Sequence, residues 1–364
     1  MNERGTKAGR RGGAAVLAVA LAVFAASALP QNFQDPMNTP AVMSARAARN
    51  PLLAVTRAGA RLVAVGQRGV VVVSDDRGAH WTQAQVAAAS DLVAVSFPTT
   101  RQGWAAGHDG VILHSDDGGS TWAKQLDGTV AAKLAEAAYR KRAEAGDAPA
   151  AQALKAAQLD YQNGPDLPFL GIWFDNEREG YAAGSFGLLF ATRDGGAHWE
   201  PWLDHIDNPQ GLNLNSVRGI GGQVYIAAER GTVFRLDRSR QRFVPAATGY
   251  AGSFFDLAGT AGDILAFGLR GTVFHSGDDG GSWEAVKSGV DASLTGGTVL
   301  GDGRVVLVSQ GGQILLATGQ GRGFALLPAA SPGLFAGVAE AGAGQVVVAG
   351  LNGVQVEALG KEQR

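Results

Sequence analysis

One pattern, Ser/Thr-x-Asp-x-Gly-x-x-Trp, occurs four times in this chain, at Ser74–Trp81, Ser115–Trp122, Thr192–Trp199 and Ser276–Trp283. Recurrence at a spacing of roughly 40 residues, each unit ending in a turn and an aromatic, marks a propeller or a solenoid. The chemistry of the pattern is local. A hydroxyl opens the turn, and Asp76, Asp117, Asp194 or Asp278 accepts backbone N–H groups. Gly78, Gly119, Gly196 or Gly280 takes the backbone where a Cβ would clash. Trp81, Trp122, Trp199 or Trp283 then starts the next strand and pins it to the core. These boxes are structural and say little about chemistry.

Upstream of each box lies a second repeat, Gly-x-x-Gly followed by an apolar strand. It stands at Gly66–Gly69, Gly107–Gly110, Gly184–Gly187, Gly268–Gly271 and Gly350–Gly353, with weaker copies at Ala228–Gly231 and Ser309–Gly312. That makes seven units. The fourth and sixth have lost the box but keep Phe243 and Phe324 where its Trp would stand, because only the aromatic fills volume in a packed core. Each unit reads as four short strands. The expected fold is all-β: a seven-bladed β-propeller of four-stranded antiparallel blades spanning 52–364.

The 128–166 stretch interrupts this rhythm. Ala, Lys, Glu, Arg and Leu dominate without strand alternation, so it reads as a helical hairpin inserted between blades two and three. Thr129 is placed to cap the first helix and Gly146 to end it, with a second helix from Asp147 to about Tyr161. The seventh unit stops without a box. The 29–51 segment, around Thr39 to Ala47, is therefore expected to pair with Gly353–Leu359 and complete the last blade, since an open edge invites aggregation.

Residues 1–28 read as an export signal: Arg10 and Arg11 precede an apolar run from Ala14 to about Leu29, and Ala26-Ser27-Ala28 suits a signal peptidase. The expected location is periplasmic, with a membrane anchor as the alternative if the leader stays uncleaved. The chain has no cysteine, so packing alone must hold it. A formal net charge of −2 lacks the basic excess of a nucleic-acid binder.

Strand order places the Gly-x-x-Gly turns and the insertion on one face and the boxes on the other. The turn dipeptides supply Arg68, His108, Asp109, Phe186, Glu229, Arg230, Arg270 and Asn352. Arginines and an aromatic on one surface suit protein binding. Candidate chemistry is sparse. His80 and His198 lie within boxes, His114 and His275 end third strands, and no two histidines have ligand spacing. No metal, cofactor or catalytic group is expected.

The segments Gly103–Gly107 and Gly110–Trp122, with their copies, resemble the photosystem II stability and assembly factor family, exported seven-bladed propellers with Asp-box (BNR-type) repeats. The helical insertion ahead of Gly164–Trp173 is similar to the proteobacterial branch of that family. The resemblance implies a non-enzymatic assembly, stability or accessory factor. Photosynthetic members bind a membrane-protein precursor through an arginine-rich face, which here points to Arg68, Arg230 and Arg270. The partner implied is thus a membrane protein or complex, bound by a monomer. Sialidases also carry Asp boxes, so a glycoside hydrolase or glycan-binding protein is the alternative. A sialidase, though, needs six blades, an arginine triad and a Tyr–Glu pair.

Overall fold

The computed structural model describes residues 34–360 apart from 332 and 343. The export signal over 1–28 lies outside the described residues. Pro36 onward forms its own unit, built from seven sheets that follow one another along the chain. Blade one sets the pattern: Leu52–Ala58 innermost, then Arg61–Gly66, Val71–Ser74 and Thr82–Gln83, each hydrogen-bonded to the strand before. Blades two to six repeat it, with innermost strands Leu92–Ser96, Phe169–Phe174, Leu214–Ile220, Phe254–Thr260 and Leu294–Val299, and blade two gains a fifth, outermost strand, Gln85–Val86, parallel to Thr121–Leu126. The second strands, such as Arg61-Leu-Val-Ala-Val-Gly66, are buried almost throughout. A sheet sandwiched between neighbours buries both faces, so such strands are continuous apolar runs rather than alternating ones.

The seven innermost strands share one irregularity. Each carries a register shift after its first residue, as between Leu52 and Ala54 or Phe254 and Asp256. A bulge bends a strand and re-aims the side chains beyond it. The residues just past the shift are Ala54, Ala94, Gly171, Ser216, Asp256, Gly296 and Gly337. Adjacent blades approach closely there: a Cβ on Gly171 would lie 2.7 Å from Val217 N. Small residues satisfy that closeness in six blades. Asp256 is the exception, and Arg218 of blade four grips it, Nε to Oδ1 at 2.8 Å and Nη2 to Oδ2 at 2.7 Å.

Ring closure differs from expectation. Blade seven, with strands Phe335–Gly342, Gln345–Gly350 and Gly353–Ala358, has no fourth strand among the described residues. The 39–47 segment does not pair with Gly353–Ala358. It lies instead along blade one and the edge of blade two, the Gln83 amide offering it both a donor and an acceptor. Gln83 Nε2 donates to Val42 O at 3.0 Å and Gln83 Oε1 accepts from Ser44 N at 2.7 Å. Ala41 N donates to Val86 O, also at 3.0 Å. The short helical turn Ala47–Arg49 then sits against Gly353, where a Cβ would come 2.0 Å from Ala48 O. Blades one and seven are joined by side chains: Leu52, Val55 and Val72 share a core with Ala339, Val347 and Ala349, and Arg57 Nη1 meets Glu340 Oε2 at 2.6 Å.

The insertion forms α1 (Gly128–Glu144) and α2 (Ala148–Asp160). Asp127, not Thr129, caps α1, accepting from Val130 N at 3.0 Å through a side chain in extended backbone. Gly146 follows the helix with φ 89°. The hairpin is not a protrusion. Ala131, Ala135, Ala150, Ala153 and Ala157 face Phe169, Ile172, Leu188 and Trp199 in one core, their small side chains letting the helices lie close. Tyr139 is fully buried, and its hydroxyl accepts from Leu203 N at 2.8 Å. Burial raises that phenol well above its ordinary pKa. Arg142 bridges Asp147 and Asp204, each at 2.7 Å.

Candidate functional site

The two repeats of the sequence occupy opposite ends of the strands, and their hydrogen bonds explain their spacing. In the second box Gly119 N donates to Ser115 Oγ at 2.8 Å, while Ser120 N and Thr121 N both donate to Asp117 Oδ1 at 3.0 Å. Trp122 Nε1 closes the turn on Gly119 O at 2.9 Å. The carboxylate accepts the backbone N–H four residues on in the other boxes too, at Asp76, Asp194 and Asp278, but only Trp81 repeats the indole bond, to Gly78 O at 3.0 Å; the Trp199 and Trp283 indoles have no such partner. In the first box the His80 backbone N–H, then its side chain and Ser74, hold the Asp76 carboxyl down to about 2. Trp122 and Trp199 are buried, whereas Trp81 and Trp283 are half-buried.

At the other end, each Gly-x-x-Gly turn docks on two innermost strands. In blade one Gln67 N donates to Pro51 O at 3.2 Å. A Cβ on Gly66 would fall 2.3 Å from the same oxygen, which is why that position is glycine. Arg68 sits in the left-handed region at φ 56° and donates its N–H to Asp91 Oδ1 at 2.7 Å. Asp109, Phe186, Arg230 and Arg270 hold the same conformation, φ 53–58°. Phe186 N donates to Asn213 Oδ1 at 2.8 Å and Arg270 N to Ser293 Oγ at 3.3 Å.

Asp91, Asn213 and Ser293 were not singled out from sequence. Each directly precedes the leucine that opens the next blade's innermost strand, a polar–Leu dipeptide at 91–92, 213–214 and 293–294. That recurring pair is the signal that could have found them. They lock each turn to the following blade and so set the tips around the ring.

The tips carry Arg68, His108, Arg230, Arg270 and Asn352 exposed, and Phe186 59% exposed. Asp109 and Glu229 are half-buried and engaged: Ser90 Oγ donates to Asp109 at 2.7 Å, and Asn213 Nδ2 donates to Glu229 at 3.1 Å. Arg230 donates to Gln210 at 2.7 Å. Arg68, Arg230 and Arg270 stand on blades one, four and five, so the structure spreads them round the ring rather than gathering them in one cluster. The first helical turn of α1 meets the same face, since a Cβ on Gly110 would touch Gly128 at 2.7 Å.

The channel between the innermost strands is a cavity of about 440 Å³. Its charged lining is Arg57, Arg218 and Asp256. The Arg218–Asp256 pair occupies both partners' charge, which suits stapling blades four and five. His275 is buried, its Nε2 2.7 Å from Asp263 Oδ1 and its Nδ1 3.4 Å from Glu284 Oε1, at the box end of blade five. Among the described residues no group of three or more His, Asp or Glu is arranged to hold a metal. No helix among them is long and apolar enough to cross a membrane.

A family model described as photosynthesis system II assembly factor YCF48 matches residues 56–138, which span blade one to the middle of α1. No curated protein matches the sequence. Among solved structures, the chain is similar to YCF48 bound to D1 peptide, with TM-score 0.61 and 14% identity over 90% of this chain and 96% of that one. YCF48 from Cyanidioschyzon merolae gives TM-score 0.60 and 16% identity over 85% and 95%. The WD40 β-propeller domain of Doa1 gives TM-score 0.61 at 10% identity, over 90% and 97%. At these identities the structures speak for the fold alone, shared by unrelated functions. The chain therefore is a seven-bladed propeller that resembles a photosystem II assembly factor over its first two blades.

Proposed function

We propose that this chain is a non-enzymatic, exported propeller of the Asp-box type, similar to the proteobacterial branch of the assembly-factor family, that binds a membrane protein through its turn face. It acts as an assembly, stability or accessory factor, monomeric and periplasmic. The observation that carries this reading is the turn face itself. Its tips are locked by Asp91, Asn213 and Ser293 with Arg68, Phe186 and Arg270 pointing out of strained backbone. Left-handed backbone at bulky residues costs of order 1–3 kcal/mol each; Arg77 and Asp279 share it at the box end, so the exposed arginines together with Phe186 are what favour the turn face. The likeness to YCF48, one structure of which is bound to D1 peptide, supports a membrane-protein partner.

The test is capture from detergent-solubilised membranes. Wild type should retain a membrane protein that Arg68→Glu with Arg270→Glu loses by at least tenfold, because charge reversal opposes encounter and docking. Thermal melts should coincide. Unchanged capture by the double variant would move the binding face elsewhere. Turnover of a chromogenic glycoside, abolished by one carboxylate substitution, would replace this reading with a hydrolase.

A further inference from the structure

Large apolar side chains exposed to water are unevenly placed on this ring. Among the described residues, Phe186, Leu269, Leu334 and Leu351 stand on or beside the Gly-x-x-Gly turns, while the box turns carry none. Leu334 and Leu351 adjoin, joined by a 3.0 Å hydrogen bond from Leu351 N to Leu334 O. These side chains belong to blades three, five and seven. Blades three and five share one turn geometry and blade seven makes a two-residue hairpin with Gly350 paired to Gly353, but strand order puts all three turns at the same end of the strands, so the three blades offer three apolar feet around the channel mouth. Three separated feet define a plane. A peptide groove would instead gather its apolar contacts into one pocket.

Charge separates the two ends less sharply, through acids more than through arginines. The exposed tip charges are Arg68, Arg230 and Arg270, whereas the acidic tip residues Asp109 and Glu229 are half-buried and hydrogen-bonded within the ring. Arg46 and Arg49, exposed on the segment seated against Gly353, add to this side. Asp291, on the connector after blade five, is an exposed acid there. The opposite end carries the four box carboxylates, with Asp75 and Asp279 beside them, and also the exposed Arg77, Arg101, Arg178, Arg193 and Arg322.

We propose that the turn face docks on an anionic lipid surface, with Phe186, Leu269 and Leu351 entering the headgroup layer and the tip arginines meeting lipid phosphates. Shallow insertion of apolar side chains combined with arginine attraction is the recognised physics of reversible interfacial binding. The box end, rich in carboxylates, would face away. This inference goes beyond the binding of a membrane protein and does not require it; docking would hold the ring at the plane where such a partner lies.

The experiment uses the chain from Gln34 onward, which holds the whole described ring, so the apolar run near the N-terminus contributes nothing. Vesicles of phosphatidylglycerol with phosphatidylethanolamine are sedimented with the protein, no other protein being present. Wild type should co-sediment at low salt, and binding should fall at least tenfold when phosphatidylglycerol is replaced by phosphatidylcholine or salt is raised. Phe186→Ser with Leu269→Ser and Leu351→Ser should lose binding at least tenfold with an unchanged melt. Arg77→Glu on the box side should not. As a second readout, Phe186→Trp should be quenched by brominated-lipid vesicles. A wild type that stays in the supernatant, or equal losses from both faces, would overturn the proposal. Capture of a membrane protein in detergent without vesicle binding would leave the protein-partner reading standing and remove this one.

Discussion

Single residues of the boxes do two separable jobs. Trp122 fills volume between blades, and Trp122→Ala should cost about 3–5 kcal/mol, as buried aromatic truncations do. The check is urea denaturation against wild type. The carboxylates hold turns, and their effect depends on pH. The Asp278 carboxyl lies at about 2, held there by the Ser282 N–H, the Ser282 hydroxyl and Ser276. A depressed native pKa gives stability that is present above the ordinary value near 3.8 and is lost as pH falls through about 2. Wild type should therefore lose its lead over Asp278→Asn between pH 4 and 2, read from denaturation midpoints. A lead constant across that window would deny the carboxylate its role. The boxes were plain in the sequence because each is closed within eight residues. The turn locks were not, since Arg68 and Asp91 are 23 residues apart and belong to different blades.

Elements show where local reading ends. The helices of the insertion could be bounded from composition, but their burial could not, because it depends on alanine faces meeting Phe169 and Trp199. An alanine-rich helix looks the same whether solvated or packed. Replacing 128–166 by a flexible linker should lower the thermal midpoint rather than leave the ring intact, and Tyr139→Phe should cost roughly 1–2 kcal/mol by leaving Leu203 N without its acceptor. The Arg218–Asp256 pair allows a sharper test. Arg218→Met alone strands a carboxylate and should cost about 3–5 kcal/mol, whereas adding Asp256→Ala should restore most of it. Six blades already hold Gly, Ala or Ser at the equivalent position, so the double variant adopts their solution. A double variant no better than Arg218→Met would mean that the pair does more than fill a place.

For the whole molecule, seven blades were countable because the aromatic and the second glycine of each turn, Gly231 and Gly312, survive even where boxes are lost: Phe243 is fully buried at the position of the box Trp. How the ring closes was not countable. The sequence shows only that the last unit lacks a box, and an extra strand is the simplest remedy. The preference of the 39–47 segment for Gln83 and Val86 depends on groups far away in sequence. The proposed binding face is likewise a property of the whole ring, since only strand order separates turn tips from boxes. A photo-crosslinking residue placed at Arg270 and, in a second variant, at Arg77 among the boxes, in cells that make the protein, separates the two faces. An adduct with a membrane protein is expected from position 270 and none from position 77. Adducts from position 77 alone would contradict the proposed face.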